Sequence, residues 1–469
     1  MNNHRAIDRR QALGSLAALT SLAWGADSHA AGPTFELATF EADVTPPLGH
    51  PLLGGATSAV PANSIEDPLL IRGLALLGPD RPIVIASIDW CEIRNDAFDR
   101  WRDGLARAAG TDRSRVLFSC IHQHDAPLAD LEAERILRRR KAAGQIIDLD
   151  FHEACVQSAA NALKESLESR RRVTHLGIGR ARAERLASNR RYIAAEGRPV
   201  HNRNSGSGGL PAQSAAPEGT IDPWMRALSF WDEDQPVCVV SNYAIHPMSY
   251  WGGGGVTSDF PGLARERRQA ETPAISEIYT SGASGNVTAG KYNDASRHEN
   301  RPVLTHRLYR AMVDAWNATQ RFPLTQAGFR SIPLPLKPRD DHGLTAAELN
   351  NKLDETEDPR VQCFTALGLS WRERMDAGHV LDLPAIDFGP AQILLLPGES
   401  YVEFQLFAQQ QRPDSFVMTL GYGECGTGYV PIERAWAEHD KNIDSWGWVA
   451  PGSESIMHTA IAAALAQSG

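Results

Sequence analysis

Val116-Leu117-Phe118-Ser119-Cys120-Ile121 runs straight into His122-Gln123-His124-Asp125. Apolar and small residues without helical spacing read as a buried strand. A buried strand that ends in two histidines and a carboxylate delivers polar groups to its carboxyl end. In open α/β sheets that is where ligands and reactive groups gather. The pattern recurs. Residues 237–244 form an apolar strand that leads into His246-Pro247, and residues 391–396 lead into Pro397-Gly398-Glu399. Residues 276–280 lead into a Gly-rich turn from Ser281 to Gly290. Four separated strands thus end in His, His, Glu and a hydroxyl-bearing loop.

Outward from these strands, short β-branched runs alternate with longer helical patterns. Residues 83–88 and 416–420 are further strands. Helices are predicted near residues 96–109, 151–169 and 261–269; in the second, Val156, Ala159, Ala160, Leu163 and Leu167 recur at helical spacing. The mixture predicts an α/β fold of mixed β-sheets flanked by helices, a single large catalytic domain with its site at the strand C-terminal ends. Asn202 to Asp222, rich in Gly, Ser, Pro and Asn, and Trp251-Gly252-Gly253-Gly254-Gly255 read as loops. By composition both are solvated connectors, but four glycines just after a candidate ligand also suit backbone close to a site.

The chain has 469 residues and a formal charge of −10. That balance carries no electrostatic footprint for nucleic acid or an anionic membrane surface. Residues 1–30 read as a signal peptide, with Arg9-Arg10, an apolar run from Ala12 to Trp24, and the small-x-small exit Ser28-His29-Ala30. The paired arginines suggest the twin-arginine route, although Ala12 stands where a bulky apolar residue is usual. The mature domain is then residues 31–469, periplasmic or secreted from a bacterium. No later run has the length of a membrane span. Six cysteines lie far apart without a Cys-x-x-Cys pair, which argues against a thiolate zinc site.

Imidazole and carboxylate are zinc ligands, and three protein ligands with an open position mark a catalytic site. Each piece alone is weak: His-x-His is often one buried and one exposed histidine, His-Pro is often a turn, and Pro-Gly-Glu a plain strand exit. Their repetition at separated strand ends is what points to zinc.

Five segments, in order, resemble the neutral/alkaline ceramidase family: residues 119–127 (Ser-Cys-Ile-His-Gln-His-Asp-Ala-Pro), 242–247 (Asn-Tyr-Ala-Ile-His-Pro), 285–290 (Gly-Asn-Val-Thr-Ala-Gly), 396–399 (Leu-Pro-Gly-Glu) and 427–431 (Thr-Gly-Tyr-Val-Pro). The likeness spans about Phe35 to Gly452 and matches that family's N-terminal catalytic domain only. It implies a zinc-dependent hydrolase of linear amides. By motif, His122, His246, Glu399 and Tyr429 would hold Zn2+. His124 would face the scissile group, and Arg190, in Asn189-Arg190, would point into the site. Thr288 falls where the family has its reactive serine. The sequence departs there: Thr288 stands for serine, Asn286 for aspartate and Ala289 for proline. Threonine keeps a hydroxyl but restricts χ1.

The resemblance therefore implies cleavage of an N-acyl bond in a small-molecule or lipid amide, with a substrate that need not be ceramide. Zinc would polarise the carbonyl, Tyr429 and His124 or Arg190 would stabilise the oxyanion, and Thr288 would position a reactant or attack. The alternatives are a zinc esterase or deacylase of another small substrate, and a non-catalytic periplasmic metal-containing binding protein. Asp125 and Asp259 are candidates to support the ligands; Asp259, just ahead of Pro261, is also placed to start a helix.

Overall fold

Three mixed sheets, each containing one parallel strand pair, make the framework of this computed structural model. It describes residues 33–53, 60–142, 144–294, 296, 298–341 and 343–467. The predicted signal peptide, residues 1–30, lies outside the described residues. The unit described below is the one that begins at Pro33.

The first sheet holds β1 (Phe35–Asp43), β2 (Leu70–Leu77), β3 (Ile83–Ile88), β4 (Val116–Cys120) and β5 (Arg171–Val173), in the order β5-β1-β2-β3-β4. All its pairings are antiparallel except β3 with β4. Every residue of β3 and β4 is buried, as strands covered on both faces require. Helix α1 (Asn95–Ala109) buries Phe98, Trp101 and Leu105, and stops at Gly110 in the left-handed conformation that favours glycine (φ 68°). Trp101 stacks on Phe118 of β4 at 5.3 Å between ring centres, which seats the helix on the sheet. Helix α2 (Leu149–Ser166), capped by the Asp148 side chain on the Phe151 N–H, lies across β1 and α1.

The second sheet holds β6 (His175–Arg182), β7 (Trp224–Asp232), β8 (Gln235–Tyr243), β9 (Ser276–Ser281) and β10 (Gln320–Pro323), in the order β9-β8-β7-β6-β10. Its parallel pair is β8 with β9. Helix α3 (Asp259–Glu271) makes the crossover between them and packs on α4 (Asn300–Asn317). The third sheet runs β11 (Gly328–Leu334), β12 (Leu381–Asp387), β13 (Ala391–Leu395) and β14 (Phe416–Leu420), with β13 parallel to β14 across helix α6 (Val402–Gln411). Helix α5 (Pro359–Asp376) precedes β12, and α7 (Ser453–Leu465) covers β11 and α6.

Strands predicted at 83–88 and 416–420 have those bounds, and the other predicted strands differ by one or two residues at an end. The mixed character of each sheet comes from β1, β2, β6, β7, β11 and β12, which pair antiparallel outside the parallel pairs. No helix among the described residues is long and apolar enough to cross a membrane. All six cysteines are buried and unpaired, so they serve as small core residues.

The three parallel pairs end in one place. Past β4, the His122 N–H bonds the Trp90 carbonyl at 3.1 Å. Past β8, the His246 N–H bonds the Val287 carbonyl at 2.8 Å. Past β13, the Glu399 N–H bonds the Gly428 carbonyl at 3.0 Å. Two bonds between the sheets, Cys120 N–H to the Tyr422 carbonyl and Gly421 N–H to the Ser281 carbonyl, and one within the third, Tyr422 N–H to the Gly398 carbonyl, tie these exits together. Gly285 is where two exits touch, since a Cβ there would collide with the Glu399 carbonyl.

Candidate metal centre

His122 sits at the end of β4 with φ at 68°, a conformation a non-glycine residue holds only when its surroundings impose it. That turn swings the imidazole off the sheet. Its Nδ1 lies 2.8 Å from the Cys91 carbonyl, so Nδ1 carries the proton and donates, and Nε2 is left with a lone pair. His122 Nε2 lies 3.2 Å from His246 Nε2 and 3.5 Å from Glu399 Oε2. Glu399 Oε2 is 3.7 Å from His246 Nδ1. Ligand atoms about 2.0–2.1 Å from a tetrahedral zinc stand roughly 3.4 Å apart, so the two spacings from His122 Nε2 suit one ion.

Each of the three side chains is 2% exposed, and Glu399 Oε2 accepts no hydrogen bond. A carboxylate oxygen buried without a donor is costly unless a cation faces it. The three ligand atoms fall within 4.8 Å of one another, a cluster compatible with a metal site.

Protonation follows position. Burial, then the charges of His122 and Arg190, holds His246 well below its ordinary value, so its ring stays neutral. His124 is depressed well below by burial, His122 and Arg190. Burial also opposes charging of His122, but the Glu399 carboxylate beside it outweighs that and raises its value. Burial pushes the Cys91 thiol well up, and its carbonyl accepts the His122 Nδ1 proton.

Around the cluster lie the residues that the family resemblance brought forward. His124 Nε2 is 3.1 Å from His246 Nε2, and its Nδ1 has no partner. Tyr429 stands opposite Glu399 in a short parallel ladder, and its hydroxyl accepts from Arg190 Nη1 at 2.6 Å. Arg190 enters from the segment after Ser188–Asn189, which pairs with Val287–Thr288. His122, His246, Glu399, Tyr429, His124 and Arg190 all line one cavity of about 380 Å³.

Thr288 is placed differently. Its hydroxyl accepts the Gly290 N–H at 2.9 Å, it is fully buried, and it does not line that cavity. Its backbone bridges His246 and accepts from the Ser188 hydroxyl. Neither Asp125 nor Asp259 bonds to His122 or His246. Asp125 accepts from the Gly252 and Gly253 N–H groups, so the four-glycine loop is fastened to the His-x-His turn. Asp259, at the start of α3, accepts from the Ser249 N–H and hydroxyl and so anchors the segment that leaves His246.

Tyr422 was not foreseen. Its ring stacks on His122 at 4.2 Å, 13° from parallel, and its hydroxyl lies 3.4 Å from His246 Nδ1 and 2.7 Å from the Ser284 hydroxyl. It too holds a positive φ, 55°. One residue therefore braces both histidines and leaves His246 Nε2 for an ion. Its sequence signal, a tyrosine between Gly421 and Gly423 just past a buried strand, is no different from that of an ordinary turn.

A buried His-His-Glu cluster at the carboxyl ends of parallel pairs defines a mixed α/β protein with a candidate metal centre. No family model and no curated protein matches the sequence. Among solved structures the chain is similar to neutral ceramidase from Pseudomonas aeruginosa, with a TM-score of 0.68 and 15% identity over 92% of this chain and 74% of that one. It is likewise similar to a ceramidase complexed with C2, with a TM-score of 0.67 and 14% identity over the same shares. The fold is ceramidase-like.

Proposed function

We propose that this chain is a zinc-dependent hydrolase of an N-acyl amide bond. The observation that carries the reading is the convergence of His122, His246 and Glu399, at zinc-like spacings, in the cavity that also holds the Tyr429–Arg190 pair. The ceramidase-like fold is consistent with it. Tyr429 is the fourth ligand in this proposal. The ion, when bound, supplies Lewis acidity toward the acyl carbonyl and toward water.

The residues supply the rest. Arg190, buried and cationic, holds the Tyr429 hydroxyl toward the site, so both can meet negative charge growing on the carbonyl oxygen. His124, kept neutral by burial, can take a proton from the attacking water and return it to the departing nitrogen. Water adds to the acyl carbon, the C–N bond breaks, and the amine leaves with the proton. Thr288 holds the turn that bridges His246. The location proposed, periplasmic or secreted, rests on the sequence of residues 1–30.

The test is amine release from a panel of N-acyl compounds by zinc-loaded protein, with a chelator control and metal analysis. His122→Ala should lose both zinc and turnover. Turnover that survives complete zinc removal would overturn the proposal.

A further inference from the structure

The walls of the cavity above the ligand cluster carry groups that the hydrolytic reaction does not use. Ser205 is 2% exposed, lines the cavity, and its hydroxyl has no hydrogen-bond partner. A buried hydroxyl left unpaired at a cavity wall is a group waiting for a ligand. Its neighbour Asn204 accepts from the Ser207 hydroxyl through Oδ1, which leaves its amide N–H groups to donate. From the helix Lys441–Trp446, Asn442 spends its amide nitrogen on the His201 carbonyl and on Asp440, which leaves Oδ1 to accept. Ser445 donates to the Asn442 carbonyl at 2.8 Å and keeps its lone pairs. These unspent groups both donate and accept, and all are neutral.

The charged groups of the same cavity belong to the proposed hydrolytic machinery or are paired. Glu92 accepts from Arg94 Nη1 at 2.7 Å and from Trp446 Nε1 at 2.9 Å, and Arg190 donates to Tyr429. The unspent groups at this wall offer no counter-charge to a substrate carboxylate or ammonium, which would lose its hydration there for nothing. Trp251, Phe364 and Trp446 line the cavity with partly exposed rings. Flat apolar rings beside neutral donors and acceptors match a ring that is apolar on its faces and hydroxylated at its rim. A volume of about 380 Å³ lies near the low end of ligand pockets, which run from about 300 to 1,000 Å³. It suits a compact molecule.

Resting on the amide-hydrolase reading, we propose that the amine side of the substrate is a neutral hydroxylated ring, an N-acylated amino sugar with a short acyl group, selected by Asn204, Ser205 and Trp251. Water adds across the amide: the acyl carbon gains the hydroxyl, the C–N bond breaks, and the sugar nitrogen takes the proton. The products are a short carboxylic acid and the free amino sugar.

The experiment measures amine release by the zinc-loaded full chain from N-acetylglucosamine and its β-1,4-linked dimer. N-acetylsphingosine and N-acetylalanine are run beside them, and binding of each is followed by tryptophan fluorescence. The sugars should give kcat/KM at least about tenfold above the other two, the usual worth of one well-placed hydrogen bond. Ser205→Ala should raise KM for the sugars about tenfold with kcat and zinc content held. Trp251→Leu should weaken sugar binding and leave the circular dichroism unchanged. Faster release from N-acetylsphingosine or N-acetylalanine overturns the sugar assignment and leaves the hydrolase standing. Sugar binding that depends on Ser205, with no amine released from any amide, supports the subsite and overturns the hydrolase. Equal sugar turnover by wild type and both variants overturns the assignment of these walls.

Discussion

Tyr422 and Thr288 show how a single hydroxyl is judged by what it touches. Tyr422 reaches both histidines of the cluster, stacking on His122 and placing its hydroxyl at His246 Nδ1. Second partners of this kind are worth about ten- to a hundredfold in metal affinity. Tyr422→Phe keeps the stacked ring and removes the bond. It should weaken zinc by about that factor in competition with a chelator, with the fold retained. Unchanged affinity would reduce Tyr422 to core packing. Thr288, by contrast, spends its hydroxyl on its own turn. Loss of that bond should cost about 1 kcal/mol of stability. Thr288→Ala should keep zinc and leave the rate within about tenfold of wild type, and Thr288→Ser should be close to wild type. Complete loss in Thr288→Ala with zinc in place, and rescue in Thr288→Ser, would bring the hydroxyl into the chemistry.

At the scale of elements, the cavity walls are loops held by buried charges. Residues 202–222 read from composition as a solvated connector, yet Arg203 is fully buried in them and donates to the carbonyls of Asn189, Gln213, Ala216 and Glu218. Lys291 Nζ adds bonds to the Ser214 and Ala216 carbonyls. Composition records glycines and serines; it does not record that two cations, one of the loop itself and one from outside it, supply the donors. Arg203→Met strands those acceptors and should open the loop to limited proteolysis before the sheets unfold. A second tie joins Arg191 to Glu438, two bonds at 2.6 and 2.7 Å, with His201 on the same carboxylate at 2.9 Å. The Arg191 bond pulls Glu438 down to about 2, from an ordinary 4.5. A depressed carboxyl adds stability above its unfolded value and loses it as pH falls through its folded one. Urea midpoints should therefore fall between about pH 4.5 and 2, and Glu438→Gln should flatten that limb. His201, whose value its two carboxylate partners raise against the pull of burial, acts at the other end: its contribution is full below 6.5 and fades as pH climbs through its raised value.

At the scale of the whole molecule, three sheets meet at the ligand cluster, so an ion there bonds to chain exits from all of them. Zinc that binds only the folded state, at about a hundredfold its Kd, adds about 2.7 kcal/mol. The melting temperature should rise by several degrees on loading and fall back with a chelator, and His246→Ala should abolish the response. A melting temperature indifferent to zinc would mean that the cluster does not close on the ion. What the sequence by itself determined is the strand-end pattern: buried runs at 116–121, 237–244 and 391–396 that exit into His122, His246 and Glu399. Burial and β-propensity are local, so they are written in a few adjacent residues, and ligands must follow the strands that carry them. Which parallel pairs form, that Tyr422 braces two histidines, and that the Thr288 hydroxyl accepts within its own turn were decided by the tertiary structure alone. Braces such as that from Tyr422 to His246 join residues 176 positions apart. Their geometry depends on how three sheets close on one another, a quantity that no local pattern encodes.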